Sequence, residues 1–174
     1  NFYFIHTRLK ILDLSSSSSQ PMKKNDTTIC FNGEIYNFNE LKEKLILKGY
    51  RFNSNGDTEV LLSAWREWGE GMMKKLDGMF SMAIWNNEEK TLFLARDRFG
   101  KKPLVYSIKN NSIYFSSDVK SLSCITDGGG LDKESIKSLF RFRFIHEPRT
   151  IVNNFKKLAP GNILKFNQYG VKIT

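Results

Sequence analysis

Cys30-Phe31-Asn32-Gly33-Glu34-Ile35-Tyr36-Asn37 is the stretch whose reading decides the fold. Asn-Gly between apolar residues is the strongest short-range signal for a tight turn, because both residues tolerate positive φ. The same residues support a second reading. An amide at Asn32, an unshielded backbone N–H at Gly33 and a carboxylate at Glu34 together suit a developing oxyanion and a nearby ammonium. Spacing alone leaves both readings open.

Upstream of this stretch, Phe2, Phe4 and His6 alternate with Tyr3, Ile5 and Thr7, and both sets are largely apolar. Residues 1–14 are therefore expected to form a strand covered on both faces that runs into a loop. A start this apolar, without an initiating Met, is expected to be the middle of a longer chain. Ser15 to Ser19 is a low-complexity run, expected to be a mobile connector that does not pack. Downstream, Asn37 and Glu40 have the spacing of a capping box. They predict a helix with Leu41, Leu45 and Lys48 on one side and Gly49 as its stop. A second helix is predicted from Asp57 or Thr58 to Gly69, with Asp57 as an acidic N-cap and Val60, Leu61, Ala64, Trp65 and Trp68 facing inward. From Gly78 the pattern changes to strands, over 79–85 and 91–95, then 104–108 and 112–115 across Asn110-Asn111. A short helix over 118–123 and a loose stretch at 126–130 follow. A helix over 133–143 is expected to bury Ile136, Leu139, Phe140 and Phe144, and a hairpin over 162–166 and 171–174 ends the sequence. Hairpins outnumber crossovers, so the sheets are mainly antiparallel and the fold class is α+β.

With 174 residues, 40% hydrophobic and 13% aromatic, the chain suits one domain with a real core. No apolar run approaches the roughly 20 residues needed to cross a bilayer, and the start lacks the charged and apolar blocks of a signal peptide. A cytoplasmic setting with no membrane partner is expected. Cys30 and Cys124, with two histidines, make neither a disulfide framework nor a metal-ligand spacing, so no metal is expected. The formal charge is +9, but the lysines fall in scattered pairs such as Lys23-Lys24, Lys74-Lys75, Lys101-Lys102 and Lys156-Lys157. That distribution suits a solvated surface better than a nucleic-acid partner.

Five segments in order carry a resemblance: His6-Thr7-Arg8-Leu9-Lys10-Ile11-Leu12-Asp13-Leu14-Ser15, Gln20-Pro21-Met22, the stretch at Cys30, Gly56-Asp57-Thr58-Glu59, and Ala95-Arg96-Asp97-Arg98-Phe99-Gly100-Lys101-Lys102-Pro103-Leu104. Together they resemble the glutaminase domain of the class II glutamine amidotransferases, most closely that of the glutamine-hydrolysing asparagine synthetases, from about His6 to about Phe166. The resemblance implies the four-layer αββα sandwich of two mainly antiparallel sheets typical of amino-terminal nucleophile hydrolases, incomplete at the N-terminus. Its domain would be 1–166, with 167–174 beginning the connection to a synthetase domain absent from these residues.

The resemblance also implies a cradle for glutamine. Arg8 would pair with the α-carboxylate, as bidentate guanidinium geometry suits, and Leu9, Lys10, Ile11 and Leu12 would lend backbone groups. The Asn32 side chain and Gly33 N–H would form an oxyanion hole, and Glu34 and Asp57 would hold the α-ammonium. Arg96, Asp97, Gly100 and Pro103 would support the wall between two active sites, and Asp118, where Glu is usual, would start a helix beside the partner domain. The family's nucleophile is a cysteine at position one, where this sequence has Asn1. Cys30, in an apparent strand, is expected to be a small buried hydrophobe. Such a cradle should bind glutamine without hydrolysing it. The implied parent reaction delivers ammonia for ATP-dependent amidation of aspartate to asparagine. No cofactor belongs to this domain, and ATP and Mg2+ belong to the synthetase domain. Gly128-Gly129-Gly130 is not its phosphate loop, since no Ser or Lys follows. Two alternatives remain: a glutamine-binding or scaffold module without catalysis, and an amidotransferase with another acceptor. A homodimer is compatible with either.

Overall fold

The structure, a computed structural model, describes residues 2–7 and 16–174. After β1 (Met22–Lys24), β2 (Thr27–Ile35) runs straight through Asn32 and Gly33. The expected turn does not form. β2 instead pairs residue for residue with β3 (Gly78–Asn86), from Thr27 opposite Asn86 to Ile35 opposite Gly78. Glycine is required here for closeness and not for reversal. A Cβ on Gly33, at φ 155°, would run into the Met79 carbonyl and lie 2.7 Å from the Phe80 Cα. Gly78 is the counterpart on the other strand, where a Cβ would meet the Glu34 carbonyl and lie 2.9 Å from the Ile35 Cα.

Between these strands lie α1 (Phe38–Leu47) and α2 (Asp57–Trp68), which fulfil the helical periodicity. Leu41 and Leu45 of α1 are buried, as are Val60, Leu61, Ala64 and Trp65 of α2. The capping box is not made: Asn37 donates to the Lys75 carbonyl at 2.9 Å and accepts from Asp77 N–H at 3.0 Å. Its amide therefore pins the start of α1 to the approach to β3. The N-cap of α2 is Gly56, with Asp57 one position inside. β3 continues into β4 (Thr91–Arg96), and β5 (Val105–Lys109) into β6 (Ser112–Ser116) across Asn110 and Asn111, at φ 50° and 55°. Two central residues at positive φ match the right-handed twist of the strands. The rest comprises α3 (Val119–Ser123), α4 (Lys133–Phe142), β7 (Lys156–Lys157), β8 (Ile163–Asn167) and β9 (Gly170–Ile173). Residues 170–173 thus belong to a sheet of the domain.

One sheet has the order β1-β2-β3-β4-β8-β9 and the other β6-β5-β7, and every pairing is antiparallel. Three apolar clusters fill the gaps between four layers. Ile29, Phe31, Ile35 and Phe93 meet α1 and α2, whereas Cys30, Ala83, Leu94 and Leu164 meet Leu104 and Tyr106 of the smaller sheet. Val105 meets Leu122 of α3 and Phe155. Alternation along β2 places Ile29, Phe31 and Ile35 on the helix side and Cys30 between the sheets, so α+β and the αββα layering both hold.

Several expectations fail for local reasons. Residues 2–7 form no strand, and neither set is fully covered: Phe4 and His6 are half-buried, Phe4 packing on Phe115 with centroids 5.6 Å apart, while Phe2, Tyr3 and Ile5 are exposed. Within the serine run, Ser16–Ser18 makes a 3-10 turn and Ser18 is buried, its side chain being small enough to enclose, while Ser17 and Ser19 are exposed. Stretch 126–130 is not loose: Gly128 is buried where a Cβ would strike Val152 and sit 3.1 Å from the Phe155 ring. Nor does α4 bury its apolar residues. Ser135 is enclosed and Ile136 half-buried, but Leu139, Phe140 and Phe144 are exposed.

The turn after β4 is built on a carboxylate. Asp97 is fully buried, and its oxygens accept from the N–H groups of Phe99, Lys101 and Lys102 at 3.0 Å and Phe80 at 3.3 Å. Burial by itself would raise its pKa, but these N–H groups outweigh that and hold the carboxyl below its usual value. Beside it, the buried Arg96 donates to the carbonyls of Gly100, Lys102 and Leu158 and to the Glu147 carboxylate, at 2.7 to 2.8 Å. Gly100, at φ 63°, must lack a Cβ, which would lie 2.9 Å from the Arg96 Nη2.

Two outcomes follow for stability. Asp97→Ala strips a charged acceptor from four N–H groups and should cost about 3 kcal/mol or more in urea denaturation, against about 0.5 kcal/mol or less for an ordinary surface change. Because the carboxyl is held below its unfolded-state pKa, its contribution is complete above about pH 4 and is lost as pH falls through the lower native value. Midpoints recorded between pH 7 and 2 should therefore fall on the acid side for the wild type and change less for Asp97→Asn. Gly33→Ala, separately, should cost about 2 kcal/mol by forcing β2 from β3; an unchanged urea midpoint would contradict the close-approach account.

Candidate functional site

The end of β2 collects the groups that the sequence singles out. By strand alternation Asn32 and Glu34 share the inter-sheet side with Cys30, and Gly33 faces the helices. Asn32, Gly33 and Glu34 are all partly exposed, so they line a surface that a small solute can reach. The Asn32 amide lies 3.5 Å from the Ser117 hydroxyl, at the end of β6, which holds it across the gap between the sheets. From the helix layer, the Asp57 carboxylate accepts from Ile35 N–H at 3.2 Å.

Asp57 is electrostatically unsettled. Burial is the main cause that raises its pKa; the N–H groups of Ile35, Asp57 and Thr58 oppose the shift, and the negative charge of Glu34 adds to it. The two carboxylates therefore sense each other at this end of the strand. A cation placed between them would relieve both the repulsion and the burial cost, which is the condition for holding an ammonium group. The structure thus brings Asn32, Gly33, Glu34 and Asp57 together. Arg8, Leu9, Lys10, Ile11 and Leu12 lie outside the described residues.

The other singled-out residues lie elsewhere. Arg96, Asp97 and Gly100 spend their groups inside the domain, as above, and Pro103 is exposed. Asp118 caps α3, accepting from Ser121 N–H at 2.8 Å and the Ser121 hydroxyl at 2.7 Å. Cys30 is buried, and burial pushes its thiol up to about 12, far from the thiolate that attack requires. Cys124 is exposed just beyond α3. The glycines at 128–130 make no phosphate cradle: Gly129 N–H donates to the Asp127 carboxylate, and Asn153 and Asn154 occupy the neighbouring carbonyls. Among the described residues no cluster of His, Cys, Asp or Glu could hold a metal ion, and no helix is long and apolar enough to cross a membrane.

Two supports were not apparent from sequence. Gln20 accepts from Phe31 N–H at 2.6 Å and donates to the Thr58 hydroxyl at 3.4 Å, tying β2 to the first turn of α2. Glu59 is enclosed and accepts from Asn53 and Ser54 N–H, the Ser54 hydroxyl and Lys24 Nζ, at 2.8 to 3.2 Å. Polar residues flanking a helix start were the available signal, but only the tertiary contact tells an acceptor from a solvated side chain.

Known proteins are similar to this chain in sequence and in fold. A profile described as a glutamine amidotransferase domain matches residues 1–174. Asparagine synthetase [glutamine-hydrolyzing] 1 of Bacillus subtilis is 45% identical over 157 residues, covering 89% of this chain and 25% of that protein. Asparagine synthetase [glutamine-hydrolyzing] 3 of the same organism is 35% identical over 176 residues, covering 98% and 28%. The chain therefore spans about a quarter of the length of these relatives. Among solved structures, the glutamine phosphoribosylpyrophosphate amidotransferase of B. subtilis superposes with a TM-score of 0.67 at 19% identity, covering 97% of this chain and 33% of that one. That likeness shows the fold, a layered sandwich of antiparallel sheets and helices. With a profile across its whole length and a matching four-layer fold, the chain belongs to the glutamine amidotransferase domain family, and is homologous to the N-terminal domain of asparagine synthetases.

Proposed function

We propose that this domain binds glutamine at the end of β2, within a longer polypeptide that transfers the amide nitrogen to aspartate. The observation that carries the reading is the convergence of Asn32, Gly33 and Glu34 with the buried Asp57, whose carboxyl is raised partly by the Glu34 charge. Glutamine supplies what this corner lacks. Its α-ammonium would sit between Glu34 and Asp57, its α-carboxylate against Arg8 and the backbone of Leu9 to Leu12, and its side-chain amide beside Asn32 and Gly33.

At that position the Asn32 amide and a Gly33 N–H would stabilise the oxyanion formed when a nucleophile adds to the side-chain carbonyl. Cys30 is not that nucleophile, being a protonated thiol enclosed between the sheets. We assign binding and oxyanion stabilisation, not nucleophilic attack, to these residues. ATP and Mg2+, with the aspartate acceptor, would be engaged elsewhere in the polypeptide; the relatives are named as asparagine synthetases that hydrolyse glutamine.

Titration calorimetry on the 174-residue chain tests the binding. L-Glutamine should bind, and Arg8→Ala should weaken it at least about tenfold, the loss expected for a charge-assisted pair. Glu34→Gln and Asp57→Asn should weaken it similarly with unchanged circular dichroism. Asn32→Ala should have a smaller effect, because its amide serves the oxyanion more than the ground state. Equal affinity for all four variants and the wild type would sink the assignment.

A further inference from the structure

Helix α4 presents its apolar residues to water. Leu139, Phe142 and Phe144 are exposed, and Phe140 is 85% exposed. The cluster is nevertheless ordered. Asp132 caps the helix through Glu134 and Ser135 N–H, at 2.9 and 3.0 Å. At the far end Arg143 turns the chain at φ 61°, and the Ser138 hydroxyl donates to the Phe144 carbonyl at 3.0 Å. The rings of Phe142, Phe144 and His146 pack on one another with centroids 4.4 to 6.2 Å apart. Several large rings fixed side by side in water mark an interaction surface, since each forgoes roughly 1.5–3 kcal/mol of burial.

Charge narrows the partner. From Leu131 to Lys157 there are seven basic side chains and three acidic ones. All three acids are already paired: Asp132 with Arg149, Glu134 with Lys137 and Glu147 with Arg96. The Arg141 guanidinium lies over the Phe142 ring at 5.1 Å, and among the described residues no carboxylate pairs with Arg141 or Arg143. The face is therefore aromatic at its centre and positive at its rim.

We propose that this face of α4 docks the synthetase part of the same polypeptide, through an apolar hollow rimmed by carboxylates. The proposal rests on the reading above, in which the domain works within a longer chain. Two observations select this occupant. First, three quarters of each matched B. subtilis relative lies beyond the region shared with this chain. Second, Thr174 exchanges hydrogen bonds with Ile163 at 2.8 and 2.9 Å; the adjacent Asn162 carbonyl accepts from Arg96 N–H, and the Arg96 guanidinium holds Glu147, three residues past Phe144. These bonds tie the strand pair β8–β9, through Arg96, to the segment that follows α4. A second copy is a poorer fit, because self-pairing would set positive rims against each other.

The test compares the complete gene product containing these residues with the 174-residue chain. Chymotryptic cleavage after Phe140, Phe142 and Phe144 should be at least about tenfold slower in the complete protein, where docking hides the site. Phe140→Glu and Arg141→Glu, both at exposed positions, should restore fast cleavage there without changing glutamine affinity. Hydrogen exchange of 136–144 should change in the same sense. Equal cleavage in both proteins overturns the proposal, as does protection of the 174-residue chain that grows with its own concentration, which would indicate a second copy. A protected patch without glutamine binding sinks only the functional reading; bound glutamine beside an unprotected patch sinks only the docking.

Discussion

The buried Asp97 carboxylate ties the turn after β4 to β3. Its oxygens accept from Phe99, Lys101 and Lys102 N–H in the turn that follows it and from Phe80 N–H in β3, while the residue's own N–H donates to the Phe80 carbonyl and its carbonyl accepts from Gly161 N–H. Phe80 is the residue paired with Gly33. One buried charge therefore braces the back of the strand whose neighbour carries the candidate site, and joins β3 to the loop before β8. A charge removed from water is tolerable only when its oxygens are satisfied, and here backbone donors meet that condition, with no ion pair to Asp97 among the described residues. Arg96 solves the complementary problem, satisfying its guanidinium with three carbonyls and Glu147.

The same logic, left incomplete, distinguishes the end of β2. Asp57 is buried with fewer compensating donors than Asp97 has, and Glu34 adds a like charge. The two aspartates thus shift in opposite directions although both are enclosed: around Asp97 the N–H groups outweigh burial, and around Asp57 burial and the Glu34 charge outweigh the N–H groups. Gly33 and Gly78 draw the backbones of β2 and β3 together at this point. Close approach is what lets a main-chain group, rather than a side chain, face the site.

Much of this was legible in the sequence. Helices α1 and α2 announce themselves by 3.6-residue periodicity and by Gly49 and Gly69, and Asn110-Asn111 marks its hairpin through tolerance of positive φ. These signals are local, so local rules suffice. Asn32-Gly33 misled for the same reason. The dipeptide is a turn former by intrinsic preference, yet nine consecutive pairings with β3 hold it extended, and the need for glycine arises from a strand that sequence proximity does not reveal. Asn37 likewise has the residue type of a cap but serves Lys75 and Asp77 across the chain. Arg96 and Asp97 were legible as important, but not as buried. Ser18 and Gly128 went wrong because a side chain's smallness permits enclosure as readily as mobility.

Helix α4 carries the last lesson, since its periodicity was read correctly and its burial was not. An amphipathic pattern states that a helix has a face to cover, and leaves open what covers it. In α1 and α2 the cover is the large sheet, and charges beside the seam are paired, Lys48 with Glu67 and Lys24 with Glu59. In α4 the rings stay exposed and the arginines beside them stay unpaired among the described residues. Residual apolar area and residual charge at one place are the same deficit in two forms, and only a surface that is apolar inside and acidic around its edge answers both.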